Sequence, residues 1–251
     1  TSNGLSSCQD ITSSGSYTLS QNITGNQSSG ICIYINTSNV SLDCGGYSIT
    51  GDSALNLDTV GIFTTNNNIT LTNCVITNYT YGVYLNSTNT TIEDLYIYNN
   101  SFNLYINTPT TISWMNGTNI SGGNNANLYY ELGQGMNPYQ INISRYNYIW
   151  TVDEDDDSNT GWKPIYYMIN DQTGDGYSGN IQNASWVVLV DSSNILINNT
   201  ISYKNNPGIY LDGASNISIN DVTVDTPLYI GVIVSDMSNE TIHIYPDGLF
   251  I

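Results

Sequence analysis

Asn68-Ile-Thr-Leu-Thr-Asn-Cys-Val-Ile-Thr-Asn-Tyr-Thr-Tyr-Gly-Val-Tyr-Leu85 is followed by Asn89-Thr-Thr-Ile-Glu-Asp-Leu-Tyr-Ile-Tyr-Asn-Asn-Ser-Phe-Asn-Leu-Tyr-Ile106. The two stretches align without a gap at an offset of 21 residues. Each holds three short apolar words in one order: Asn–apolar–Ser/Thr–apolar, then a brief one (Val75-Ile76, Ile97), then one such as Gly82-Val-Tyr-Leu85. The first word recurs at Asn39, Asn194, Asn216 and Asn239, and as Thr110-Thr-Ile-Ser. The last recurs as Gly61-Ile-Phe63, Asn103-Leu-Tyr-Ile106, Gly208-Ile-Tyr-Leu211 and Gly231-Val-Ile-Val234. Apolar and polar residues alternate within each word, as in strands with one buried face. Three short strands per coil of about 22 residues, repeated in phase, predict an all-β, right-handed parallel β-helix in which each coil pairs with the coils above and below it. A leucine-rich repeat lacks its LxxLxL word here, and a propeller repeat is about twice as long. The phase places inward ladders through Ile69, Ile92 and Ile112, and through Ile195, Ile217 and Ile242.

Working outward, the repeat divides the chain into an N-terminal cap over 1–36, coils over 37–121, an insertion over 122–185, and coils with a C-terminal tail over 186–251. Residues 51–60 lengthen the first coil. The insertion interrupts the period, carries Arg145, Lys163 and the acidic run Asp153–Asp157, and is expected to fold as a subdomain against the flank of the coils.

Composition narrows function. Only Arg145, Lys163 and Lys204 oppose 21 carboxylates, a formal charge of −18. Nucleic-acid binding depends on cations that displace condensed counterions, so it is excluded, and anionic lipid surfaces are disfavoured. No apolar run is long enough to span a bilayer. The opening TSNGLSSCQD has neither a basic n-region nor an apolar h-region, as in a secreted chain already relieved of its signal peptide. Asn, Ser and Thr together supply 92 residues, while Tyr alone supplies 21. Turn formers and strand formers therefore dominate together.

The coil words, with the opening SCQDITSSGSYTLSQNITG and the stretch NVSLDCGGYSITG, resemble secreted β-helix proteins of the NosD-like and pectate-lyase superfold, in the Asn/Thr-rich form found on archaeal and bacterial surfaces. The resemblance covers roughly three quarters of the chain, everything but the insertion. Four cysteines without a CxxC pair point to disulfides in an oxidising compartment, and the sequence alone allows three pairings. The resemblance implies Cys8–Cys32 in the cap and Cys44–Cys74 between neighbouring coils. The copper binding implied by the NosD name asks for His, Met or Cys ligands, of which one His and four scattered Met are a poor supply.

Catalytic candidates are sparse. Polyuronate lyases of this superfold use basic residues beside Ca²⁺, and the one arginine lies in the insertion. Glu93, Asp94, Asp191, Asp212 and Asp221 are available to a glycosidase, but no spacing singles out a pair. His243 alternates with inward Ile242 and Ile244 and should face solvent. No catalytic residue is assigned. The clearest metal signal is Asp171-Gln-Thr-Gly-Asp-Gly-Tyr-Ser-Gly179, which is similar to a DxDxDG calcium loop with Asp171, Thr173 and Asp175 at ligand positions. Asp153, Asp155 and Asp157 are candidate additional ligands to the same Ca²⁺.

Sequons are abundant: Asn22, Asn26, Asn36, Asn39, Asn68, Asn78, Asn86, Asn89, Asn99, Asn116, Asn119, Asn142, Asn183, Asn198, Asn216 and Asn239. That is about twice the number composition alone yields, and the coil word itself generates part of the excess. An aromatic ladder is expected at Tyr84, Tyr105 and Tyr210, which share one phase. The reading that follows is a structural extracellular glycoprotein, not an enzyme, that associates with further copies of itself into a surface filament or lattice. Its assembly element is the apolar tail Leu249, Phe250 and Ile251, inserted head-to-tail into the next copy or else folded over its own last coil. The competing expectations are a polysaccharide-binding or polysaccharide-cleaving β-helix, and an adhesin tip.

Overall fold

Every described element is a strand, and apart from one antiparallel pair the strands stack in parallel as a right-handed β-helix. The computed structural model describes residues 2–52, 58–107, 110–130, 141–144, 146–151, 160–170, 179–225, 231–235, 242–244 and 249–250. The chain forms two compact units, Thr1–Ile141 and Asn142–Ile251.

In the first unit the three words of each coil become strands of three parallel sheets. One contains Asn3–Leu5, Gly15–Leu19, Val40–Asp43, Ile69–Thr72, Thr90–Glu93 and Ile112–Asn116. The second contains Gln9–Ile11, Ile31–Ile35, Val60–Thr64, Tyr81–Leu85, Phe102–Ile106 and Ala126–Tyr130. The third contains Ile23–Thr24, Ser48–Thr50, Val75–Thr77, Tyr96–Tyr98 and Asn119–Ser121. Inward residues meet in register, as in Ile49–Ile76–Ile97–Ile120 and Ile33–Ile62–Val83–Leu104–Leu128, all fully buried. Burying such a side chain is worth roughly 1.5–3 kcal/mol, so each rung adds to a continuous apolar column.

The chain turns three corners per coil, and most of them depend on one residue in the left-handed region. The first corner uses Asn39 (φ 60°), Asn68 (57°) and Asn89 (56°). Asn73, Asp94 and Gly117 turn the second, and Asn78, Asn99 and Gly122 the third. This conformation costs an ordinary L-residue roughly 1–2 kcal/mol, and Asn, Asp and Gly tolerate it best. The abundance of asparagine therefore has a backbone cause.

Two expected ladders differ in detail. Ile195 and Ile217 are buried, and the backbone register continues to Ile242. Ile69, Ile92 and Ile112 are all buried but form two ladders rather than one. Ile69 pairs with Thr90 and Thr90 with Ile112, while Ile92 pairs with Leu71 and Met115. The cause is that Asn89 is followed by Thr-Thr-Ile where Asn68 is followed by Ile-Thr-Leu, so a buried threonine takes the first inward place. Its hydroxyl is satisfied by Ser87 Oγ at 2.7 Å.

In the second unit, Gly161–Ile169, Trp186–Val190, Ile209–Asp212 and Val232–Ser235 form one parallel sheet, to which Tyr148–Thr151 adds through an antiparallel hairpin. A second sheet holds Asn180–Gln182, Ser193–Tyr203, Ser215–Asp225 and Ile242–Ile244. Two of these strands run for 11 residues, because the bends at Asn199 (φ 46°) and Asp221 (φ 51°) are made without a break in pairing. The core between the sheets includes Met168, Val187, Leu189, Ile197, Leu211 and Ile219.

The stretch 122–185 contributes strands to sheets. Ala126–Tyr130 pairs in parallel with Phe102–Ile106 in the first unit, and Gly161–Ile169 pairs in parallel with Trp186–Val190 in the second. Strand alternation persists in this stretch, whereas the Asn–apolar–Ser/Thr word does not. In this structure of the single chain, Leu249–Phe250 lies in parallel beside Val222–Thr223 of its own Ser215–Asp225 strand.

Candidate functional site

Both cystine bridges form as the resemblance implied: Cys8–Cys32 and Cys44–Cys74. They close segments separated by 24 and 30 residues. On the chain-entropy estimate each restricts the unfolded state by about 3.5 kcal/mol.

The calcium candidates Asp153, Asp155, Asp157, Asp171, Thr173 and Asp175 lie outside the described residues, as do the sequon Asn239 and the tail residue Ile251. No group of three or more His, Cys, Asp or Glu suited to a metal is present among the described residues. The carboxylates considered for a glycosidase are largely corner residues. Asp94 (φ 53°), Asp191 (φ 44°) and Asp221 (φ 51°) adopt the left-handed turn conformation. Asp94 and Asp191 also lie against Gly117 and Gly213, where any added Cβ would collide with the carboxylate oxygen. Asp212 accepts hydrogen bonds from Ser235 Oγ (2.7 Å) and Tyr210 OH (3.2 Å). Asp43 belongs to a corner as well. Asn73 Nδ2 (3.0 Å) and the Gly45 amide (2.8 Å) donate to its Oδ1, and these bonds hold its carboxyl below the usual range against a small opposing effect of burial.

The first corner carries a side-chain ladder on its outer surface. Asn68 Nδ2 donates to Asn39 Oδ1 at 2.9 Å, Asn89 Nδ2 donates to Asn68 Oδ1 at 2.5 Å, and Ser113 Oγ donates to Asn89 Oδ1. In the second unit Asn216 Nδ2 donates to Asn194 Oδ1 at 2.8 Å and Asn220 Nδ2 to Asn198 Oδ1 at 3.0 Å. None of the described sequon asparagines is buried. Among the described residues the buried asparagines, Asn100, Asn103, Asn127, Asn147 and Asn205, all stand outside sequons.

Inside the third corner these buried amides form their own network. Asn100 Nδ2 donates to the carbonyls of Ile76 and Tyr98 and to Asn103 Oδ1, Asn100 Oδ1 accepts from the Tyr79 amide at 2.8 Å, and Asn103 Nδ2 donates to Asn127 Oδ1. Tyr79 is buried beside them, its hydroxyl donating to the Gly25 carbonyl at 2.7 Å. Burial drives its phenol well above the usual tyrosine range.

The second sheet of the first unit bears the aromatic ladder, which is longer than the sequence reading anticipated. Tyr34, Phe63, Tyr84, Tyr105 and Tyr129 occupy one register position. Their successive centroids are 5.3, 5.2, 4.7 and 4.5 Å apart. Tyr81 and Phe102 stack alongside at 5.1 Å. Tyr210 does not join this ladder. It lies in the second unit, in register with Val188 and Ile233. The signal for the additional rings was an aromatic residue directly after a buried apolar one in IYI, IFT, VYL, LYI and LYY. From Tyr84 to Tyr129 the rings are nearly parallel (17° and 8°), so their faces are taken up by each other. Such pairs add about 0.5–1.5 kcal/mol each beyond area burial. This packing stiffens the sheet and leaves few open ring faces.

The hairpin of the second unit differs. Trp150 and Trp162 face each other across the antiparallel strands at 5.4 Å and are 39% and 40% exposed. Their neighbours Ile149 and Lys163 are turned inward, the lysine to 2% exposure with Nζ donating to Asn183 Oδ1. Neither feature was legible in the sequence, because nothing there showed that this stretch would form a hairpin.

No protein-family model, curated protein or solved structure matches this chain. Of the resemblance drawn from the sequence, the parallel β-solenoid is what the structure shows. Among the described residues no helix is long and apolar enough to cross a membrane.

Proposed function

We propose that this protein is a structural, extracellular glycoprotein of the NosD-like β-helix kind, whose coils present glycans and associate with further copies in a surface assembly. The observation that carries this reading is the segregation of its asparagines. All described sequon positions reach the surface, and each asparagine buried among the described residues lacks a sequon. Disulfides suit an oxidising exterior. The aromatic ladder offers contact area to a further copy, against the mutual repulsion of chains that each carry a formal charge of −18.

The test is to isolate the protein from its natural source and measure its assembly by light scattering and electron microscopy. Ordered oligomers or filaments at micromolar concentration are expected. A glycan-free monomer would sink the proposal.

A second reading, polysaccharide binding, is favoured by Trp150 and Trp162, whose exposed indoles could stack on sugar rings. Affinity electrophoresis against neutral polysaccharides separates the two readings. Retardation abolished by Trp150→Ala with Trp162→Ala would support binding, and unretarded wild-type protein would dismiss it.

A further inference from the structure

The sequon asparagines differ in how their amides are hydrogen-bonded, and the inference drawn from that difference rests on the glycoprotein reading above. N-glycosylation joins Nδ2 of asparagine to C1 of a sugar. The C1–O bond to the phosphate of a lipid-linked saccharide donor breaks, the phosphate leaves with the bonding electron pair, and Nδ2 gives up one proton. The reaction therefore requires Nδ2 to be presented to solvent and free to rotate toward the donor.

Sequon asparagines meet that requirement unequally. Asn68, Asn89 and Asn216 each donate Nδ2 to the asparagine one coil away, at 2.9, 2.5 and 2.8 Å. Asn68 and Asn89 are held at both ends, since their Oδ1 atoms also accept from Asn89 and Ser113. The neighbouring coil lies about 4.8 Å away, the spacing of paired strands. A sugar on the Nδ2 of one rung would have to occupy the space of the next. Asn39 and Asn198 stand at the opposite ends of their ladders. Each accepts through Oδ1, from Asn68 and Asn220 respectively, so its Nδ2 takes no part in the ladder bond. Asn22 and Asn183 are held in the same sense, by the Ser48 amide at 3.0 Å and by Lys163 Nζ.

We infer that, on the folded chain, Asn22, Asn39, Asn183 and Asn198 are glycan acceptors, whereas Asn68, Asn89 and Asn216 stay unmodified as structural rungs. The pattern is set by the direction of each amide hydrogen bond. Breaking a ladder bond at each end before transfer lowers occupancy at Asn68 and Asn89 by about tenfold relative to Asn39.

The experiment is a glycopeptide map of the secreted protein from its natural host, digested with chymotrypsin because only three basic residues are available to trypsin. Two variants accompany the wild type, Asn39→Gly and Asn194→Gly. Glycine keeps the positive φ of these corners (60° and 57°) without strain, so both variants fold, while the acceptors of Asn68 and Asn216 disappear. Sugar on Asn39 and Asn198 with little on Asn68, Asn89 and Asn216 is expected in the wild type. Asn68 should gain sugar in Asn39→Gly, and Asn216 in Asn194→Gly. Equal occupancy of Asn39, Asn68 and Asn89 in the wild type, or no gain in either variant, overturns the sorting while leaving the glycoprotein reading intact. Absence of sugar at every sequon overturns both.

Discussion

Replacing Gly82 with alanine should damage the third corner far more than its single added methyl suggests. A Cβ at this position would come within 2.7 Å of both Asn100 Nδ2 and the Asn103 carbonyl oxygen, and within 2.8 Å of Ile97 Cγ2. The backbone partner cannot retreat, because Asn103 is paired in the next rung. Overpacking of this kind costs roughly 1–3 kcal/mol. Displacing Asn100 adds to it, since that side chain satisfies the Tyr79 amide and the carbonyls of Ile76 and Tyr98. One buried group left without a partner costs roughly 1–3 kcal/mol more. A total of about 2–6 kcal/mol is expected, a large part of the 5–15 kcal/mol that stabilises a typical domain. The matched control is Gly4→Ala, also in a strand, where a Cβ meets nothing within 4 Å. Urea unfolding, with amide exchange at Tyr79 as a local probe, compares the two. A Gly82→Ala midpoint within experimental error of the Gly4→Ala midpoint would refute the argument that the corner is closed around that glycine.

Reduction of the two disulfides should lower the unfolding free energy by about 7 kcal/mol if both loops contribute by the chain-entropy estimate, and thermal melts with and without reductant measure it. Because the Tyr79 phenol is raised by burial, the unfolded chain ionises first. Stability is complete below the unfolded tyrosine value of about 10 and falls as the pH climbs above it. Tyr79→Phe should therefore flatten the alkaline limb of the stability curve while costing about 1 kcal/mol near neutrality from the lost bond to Gly25, and an unchanged alkaline limb would remove Tyr79 as its cause. Asp43 acts in the opposite sense. Its lowered carboxyl contributes stability above the unfolded aspartate value of about 3.9, lost as the pH falls through the folded one, so Asp43→Asn should weaken the acid limb of a pH titration.

The coil architecture was legible because its signal is local and repeated: alternation within each word, and the return of the words at nearly constant spacing. The asparagine corners follow from the same words once φ is considered, since Asn39, Asn68 and Asn89 begin them. The place of Ile92 was legible too, since the ungapped offset of 21 residues sets it against Leu71, and the ladder through Ile69, Ile92 and Ile112 followed the apolar residues instead of that alignment. What sequence could not convey was sheet membership. Tyr210 shares the phase of Tyr84 but belongs to another sheet. The Asn100–Asn103–Asn127 network was hidden as well, because a buried and an exposed asparagine read alike until the corner between them closes. Lys163 and Trp162 alternate in a strand whose hairpin partner was not marked by any turn word. The carboxylates Asp94, Asp191 and Asp221, weighed as chemistry, have a conformational role that composition does not display.

The measurement that bears most directly on the account is the intact mass of the protein secreted by its natural host. A structural glycoprotein with outward sequons must lose mass on deglycosylation, in multiples of a common saccharide unit. A single species whose mass is unchanged by deglycosylation would contradict it.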